Sequence, residues 1–101
     1  IFGCLALEIN KKPYTHFQVS QHSFIRTFDR NVDEKLLEWH RDEKERLVYV
    51  IHSGIGWKFQ RDNELPILLI SNQSVFRIKA EEYHRLIKGD EGPLVLYIEE
   101  K

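Results

Sequence analysis

Two histidines and an aspartate offer the chain's best set of donor atoms for a metal ion. His40 and Asp42 stand two positions apart, and His84 follows much later. Two imidazoles and one carboxylate on one face suit Fe(II), because they leave coordination positions open for a substrate or O₂. In a strand, His40 and Asp42 would point to the same side, whereas in a helix they would diverge by about 200°. The chemistry available to this set therefore depends on the backbone around His40.

Both segments that carry these residues have a composition that also suits a helix. Residues 32–40 are rich in Glu, Lys and Leu, and Asn31 could cap a helix there. Residues 79–88 contain similar residue types and end at Gly89, a common helix stop. Composition alone leaves helix and strand open for both segments.

The rest of the sequence has the pattern of a mainly β protein. Residues 47–51 form a β-branched and aromatic run, and residues 57–61 alternate apolar with polar side chains. Gly54 and Gly56 lie between them, so we expect a hairpin. Further strands are predicted at 5–9, 15–20, 23–28, 65–69, 75–78 and 94–98, with a strong turn signal at 89–93. Short strands at this spacing predict one sandwich or barrel.

Length, charge and cysteine content limit the function classes. A chain of 101 residues with 42% hydrophobic residues suits a single domain over residues 1–101. A net charge of −1 without a basic stripe gives no reason to expect a nucleic-acid partner. No apolar run approaches a membrane span, so no membrane partner is expected. The single Cys4 cannot form an internal disulfide; we expect a small core residue and a cytoplasmic protein.

The segments around His40 and His84 resemble the two sequence motifs of the cupin family. The first motif has the form G-x5-H-x-H-x3,4-E-x6-G, and His40 matches its first histidine. The second motif has the form G-x5-P-x-G-x2-H-x3-N, and His84 matches its histidine. Asp42 stands where the second histidine of the first motif is usual, and Arg46 stands where the glutamate is expected. The run W-H-x-D-x3-R from Trp39 is also similar to short cupin-like proteins of phages and marine bacteria.

The resemblance implies a double-stranded β-helix, an antiparallel β-barrel, with residues 39–42 extended. His40 and His84 would line one barrel mouth. The donor atoms of these two residues and Asp42, and not the resemblance, suggest one divalent metal such as Fe, Zn, Mn or Ni. It further implies a homodimer, and the apolar segment 1–7 would offer an edge for pairing.

Other residues complete the predicted pocket. Trp57 and Tyr83 are predicted either to pack in the core or to form walls around a small-molecule ligand. Arg46 suits either an anchor for an anionic group of that ligand or a local ion pair with Asp42.

Two functions stay open at this point. The first is a metal-dependent cupin that acts on a small polar molecule. The second is a metal-free cupin that binds a ligand or serves as a regulatory or assembly module. The two differ in whether the purified protein holds a metal.

Overall fold

A computed structural model describes residues 12–101 of the chain. The strands are β1 (Thr15–Gln18), β2 (Ser23–Phe28), β3 (Arg46–Ile55), β4 (Lys58–Arg61), β5 (Ile67–Leu68), β6 (Val75–Ile78), β7 (His84–Ile87) and β8 (Glu91–Glu100). One turn of 3₁₀ helix spans Glu34–Leu36, and no α-helix occurs within the described range. The predicted strand at 5–9, Cys4 and the apolar segment 1–7 lie outside the described residues.

The strands form two antiparallel sheets around one core. The larger sheet has the order β1-β2-β8-β3-β6, and the smaller has the order β5-β4-β7. Buried side chains from both sheets form one hydrophobic cluster, in which Val48 and Leu96 come from the larger sheet and Phe59 from the smaller. The mainly β prediction is therefore confirmed.

The predicted hairpin between residues 47–51 and 57–61 is wrong. β3 pairs with β8 and β6, whereas β4 pairs with β5 and β7, so consecutive strands lie in different sheets. Two register shifts bend β3, between Val50 and His52 and between Ser53 and Ile55. Gly56 then takes a left-handed conformation at φ 90°, which favours glycine, and directs the chain into the other sheet.

The predicted turn at 89–93 is shorter than expected, since β8 already begins at Glu91. Pro93 lies inside this strand, although proline cannot donate a ladder hydrogen bond. It is tolerated because it falls at the irregular stretch opposite β3, between the paired residues Glu91 and Leu94.

Neither segment of helical composition forms an α-helix. In the first, only the 3₁₀ turn forms; the Asp33 side chain caps it by accepting from the Lys35 N–H at 3.0 Å. In the second, Glu81 adopts φ 63° in a tight turn, and β7 follows. Residues 39–42 are extended or irregular, as predicted. In the second segment, pairing of β7 with β4 outweighs the weak helix preference, whereas in the first only His40 is paired, with His84.

In the described part of the chain, no helix is long and apolar enough to cross a membrane.

Candidate metal centre

The backbones of His40 and His84 are paired directly. The His40 N–H donates to the His84 carbonyl at 3.0 Å, and the His84 N–H donates to the His40 carbonyl at 2.9 Å. The two imidazole rings lie with centroids 4.3 Å apart, and both histidines line the same cavity. This pair of backbone hydrogen bonds thus brings together two residues that are far apart in the sequence.

A backbone carbonyl orients each imidazole. Nδ1 of His40 lies 2.9 Å from the Glu38 carbonyl oxygen, and Nδ1 of His84 lies 2.8 Å from the Glu82 carbonyl oxygen. Because a carbonyl only accepts hydrogen bonds, each Nδ1 must carry the proton. In the neutral form of each ring, Nε2 then carries a lone pair, which is the arrangement of a metal-binding histidine with an outer hydrogen-bond partner.

Asp42 completes the set from the same extended segment. Its Oδ2 lies 3.2 Å from Nε2 of His84, and its Oδ1 lies 4.0 Å from Nε2 of His40. One donor atom from each of the three residues lies within 4.8 Å of the others. Metal bonds of about 2.0–2.2 Å place neighbouring ligand atoms roughly 3.0–3.6 Å apart. The Asp42–His84 pair already fits this range, and the half-exposed His40 ring needs only a small movement.

The contact between His84 and Asp42 lacks a hydrogen when the imidazole is neutral. Nε2 and Oδ2 are then both acceptors, and Oδ2 is buried without a hydrogen-bond partner. Two acceptors in a buried contact repel each other unless a proton or a metal cation lies between them. The residues present therefore fit a divalent cation.

Arg46 supplies a competing positive charge at the same carboxylate. Its Nη1 lies 3.3 Å from Asp42 Oδ2, while Nη2 and Nε lie 2.9 and 3.0 Å from Glu100 Oε2. Burial raises the pKa of the Asp42 carboxyl. A hydrogen bond from His84, which forms when its Nε2 carries a proton, and the charge of Arg46 outweigh that effect, so the pKa lies below its ordinary value. Asp42 is accordingly held as a carboxylate. Arg46 makes the predicted local ion pair and also a second ion pair with Glu100.

The two aromatic residues predicted as pocket walls lie elsewhere. Trp57 is completely buried in the core, where its Nε1 donates to the Gly92 carbonyl at 2.9 Å. Tyr83 is about half exposed, and the Arg41 guanidinium lies 5.3 Å from its ring centroid. Neither lines the cavity that contains the histidines. Tyr83 adjoins His84, and adjacent side chains in extended backbone point to opposite faces.

The cavity beside the histidines is small and mainly apolar. Its volume is ≈ 90 Å³. Its apolar walls include Phe28, Val48, Phe59, Phe76, Leu86 and Leu96. Charged side chains of Arg26 and Arg46 also reach it. A space of this kind suits a small molecule with an apolar body and a polar end.

Solved structures with similar backbones share this architecture. The DMSP lyase DddQ from Ruegeria pomeroyi matches with a TM-score of 0.70 at 9% identity over 88% of this chain. An RmlC-like cupin with a double-stranded β-helix fold from Methanocaldococcus jannaschii matches with a TM-score of 0.60 at 10% identity; the match covers 88% of this chain and 80% of that one. This chain has the cupin fold.

The match to these cupin structures lies in the backbone fold and not in the sequence. No protein-family model and no curated protein matches the chain in sequence. The chain spans 47% of the Ruegeria lyase and 37% of a second DMSP lyase structure, which it matches with a TM-score of 0.63 at 16% identity over 78% of its own length.

Two residues beside this cupin site were missed in the sequence. Glu100 gave no signal, because only the register that places it opposite Arg46 shows the pairing. Arg26 did give a signal: it stands between Phe24 and Phe28 at strand spacing, so all three occupy the same face of β2.

Proposed function

We propose that the chain is a small cupin that binds one divalent metal ion through His40, Asp42 and His84 and acts on a small polar molecule. The observation that carries this proposal is the buried contact between Nε2 of His84 and Oδ2 of Asp42, which has no hydrogen bond of its own. Both imidazoles are also oriented with Nδ1 on a carbonyl, which leaves Nε2 for the metal.

The bound metal would supply Lewis acidity, or O₂ chemistry if it is a redox metal such as iron. The remaining roles fall to the chain. The carbonyls of Glu38 and Glu82 hold the imidazoles in one tautomer, and Arg46 holds the Asp42 carboxylate in place. The apolar walls limit water around the bound molecule. Fe, Zn, Mn and Ni all remain compatible with this donor set.

The metal content of the purified protein tests the proposal directly. We expect about one equivalent of divalent metal after loading and dialysis, measured by plasma emission. His84→Ala should lose it, because only two protein ligands remain. His52→Ala is the matched control, since His52 is exposed on β3 and lies outside the three-residue set. Uptake by the wild type should weaken as pH falls, because protons compete with the metal for imidazole ligands. Full metal retention by the His84 variant would refute the assigned ligand set.

A metal-free ligand-binding or regulatory module is the second candidate. The position of Arg46 favours it, because this guanidinium already places a positive charge 3.3 Å from Asp42 Oδ2. In that case the wild type resists metal loading, and His84→Ala costs only about 1 kcal/mol of stability. Metal analysis and thermal unfolding of these two proteins separate the candidates.

We also propose a cytoplasmic homodimer, from the cysteine content and the resemblance. Light scattering at micromolar concentration should give twice the mass of one chain. A mass of one chain would contradict the dimer and leave the metal proposal unaffected.

A further inference from the structure

Two arginines line the cavity from neighbouring parts of the larger sheet, and they differ in their partners. Arg46 on β3 is engaged by two carboxylates, Asp42 and Glu100. Arg26 on β2 forms no ion pair with any carboxylate in residues 12–101. Of the two arginines, Arg26 is therefore the one that makes no direct ion pair within the described part of the cavity wall.

Arg26 occupies an inward position where an apolar residue would be expected. Phe24 and Phe28 on either side of it are buried, and its partner on β8 is Leu96, another buried residue. Burial lowers the pKa of the Arg26 guanidinium from its ordinary value. Arg46 acts in the same direction, whereas Tyr14, Asp42 and Glu100 oppose it without cancelling the effect of burial. A partly desolvated cation among apolar side chains costs stability, so its presence here needs a reason other than packing.

Aromatic rings hold the Arg26 guanidinium and leave its terminal amino groups free. Its central carbon lies 4.2 Å from the Tyr14 ring centroid and 4.6 Å from the Phe24 ring centroid. Its Nε donates to Nδ1 of His16 at 3.3 Å. Within residues 12–101, the two Nη groups have no acceptor, and neither is a fully buried atom. The side chain is thus positioned by stacking, with its paired donors available.

We infer that Arg26 binds the carboxylate of a short-chain carboxylic acid in this cavity. The paired Nη donors match the two oxygens of a carboxylate. The apolar walls, including Phe28, Val48 and Phe59, would contact the carbon chain. The inference rests on the proposed function, because it names the class of the small polar molecule that would reach His40 and His84. Arg46, which the sequence suggested as the anchor, is already neutralised.

Butyrate and its neutral isostere butyramide test the inference by isothermal titration. We expect wild-type protein to bind butyrate at least about tenfold more tightly than butyramide, since hydrogen bonds to a charged group add this much. Arg26→Met keeps an apolar stem against Tyr14 and Phe24. It should weaken butyrate binding by about tenfold or more and leave butyramide binding within about twofold. Arg77→Met, on an exposed side chain, is the matched control and should change neither.

Arg26→Lys keeps the test valid if the methionine variant fails to fold. It retains the charge but not the two-pronged donor, so we expect butyrate affinity between those of the wild type and the methionine variant. Equal binding of butyrate and butyramide by the wild type would overturn the inference. So would unchanged butyrate affinity in either Arg26 variant.

Titrating Mn²⁺ alone separates this inference from the metal proposal. Butyrate selectivity that depends on Arg26 in a protein that takes up no Mn²⁺ supports the carboxylate site. It refutes the metal site if Fe²⁺, Zn²⁺ and Ni²⁺ are not taken up either. Mn²⁺ uptake without that selectivity refutes the carboxylate site and leaves the metal site standing.

Discussion

The two ends of the barrel interior are built from opposite kinds of residue. One end, here called the closed end, contains Trp57, Gly89 and Leu94. The other, the site end, contains His40, Asp42, Arg46 and His84. Strand β8 runs between them, with buried Leu94 at the closed end and Glu100 paired with Arg46 at the site end. Along β8, the side chains on one face therefore change from buried and apolar at Leu94 to charged at Glu100.

Packing at the closed end leaves no room for additional atoms. Trp57 and Leu94 are completely buried. A Cβ added at Gly89 would lie 2.5 Å from the Trp57 ring and 2.6 Å from the Ile55 carbonyl oxygen. At the site end the neighbouring cavity is open and charged groups are only partly covered. From this difference we expect the larger contribution to stability at the closed end; the proposed ligand site lies at the other end.

The largest expected effect is at the closed end. Trp57→Ala should lower the free energy of unfolding by about 3–5 kcal/mol, because it removes a fully buried ring and leaves a void. Denaturant titration measures the loss. The matched control is Trp39→Ala, on a ring that is 41% exposed, which should cost less than about 1 kcal/mol. Similar losses in both variants would contradict the contrast between the two ends.

A smaller loss of stability is expected at the site end from Arg46→Met. The change leaves the Asp42 and Glu100 carboxylates without their shared cation and should cost about 1–3 kcal/mol. Arg77→Met, on an exposed pair with Glu45, should cost less than about 1 kcal/mol. If the metal proposal holds, Mn²⁺ affinity should increase in Arg46→Met, because a competing charge has gone. Unaltered stability would show that the ion pairs contribute nothing.

The Asp42 carboxyl predicts how stability depends on acid. Its pKa in the folded state lies below that of the unfolded chain, so its contribution is fully present above about pH 4 and is lost as pH falls through the folded pKa. Asp42→Asn should remove that part of the acid dependence. Thermal midpoints of both proteins from about pH 2 to 7 measure it. If the thermal midpoints of the wild type and the variant change in parallel across the acid range, Asp42 is not the source of the acid dependence.

The smallest effect is expected for Tyr83→Ala. The Tyr83 ring is about half exposed and makes a cation–π contact with Arg41. Its removal should therefore lower the free energy of unfolding by about 0.5 kcal/mol. Butyrate and Mn²⁺ binding should match the wild type, because Tyr83 does not line the cavity. A clear loss of butyrate affinity would restore Tyr83 as a pocket wall.

Much of the site could be predicted from the sequence. Residues 39–42 were expected to be extended, and His40, Asp42 and His84 were expected to lie together; the structure places them so. Composition alone leaves helix and strand open at residues 32–40 and 79–88. The resemblance to the cupin motifs is what predicts an extended backbone at residues 39–42. The β class followed from short β-branched runs such as residues 47–51, whose preference is strong and local.

Only the tertiary structure decided which residues face the cavity and which pair with each other. Trp57 lies in the core because the chain crosses between sheets at Gly56, and that crossing also replaced the expected hairpin. The register of β3 against β8 places Arg46 opposite Glu100. The two residues are far apart in the sequence, so no local sequence pattern predicts their pairing. Alternation assigns each residue to one of two faces of a strand, but the pairing of distant strands determines what lies opposite it.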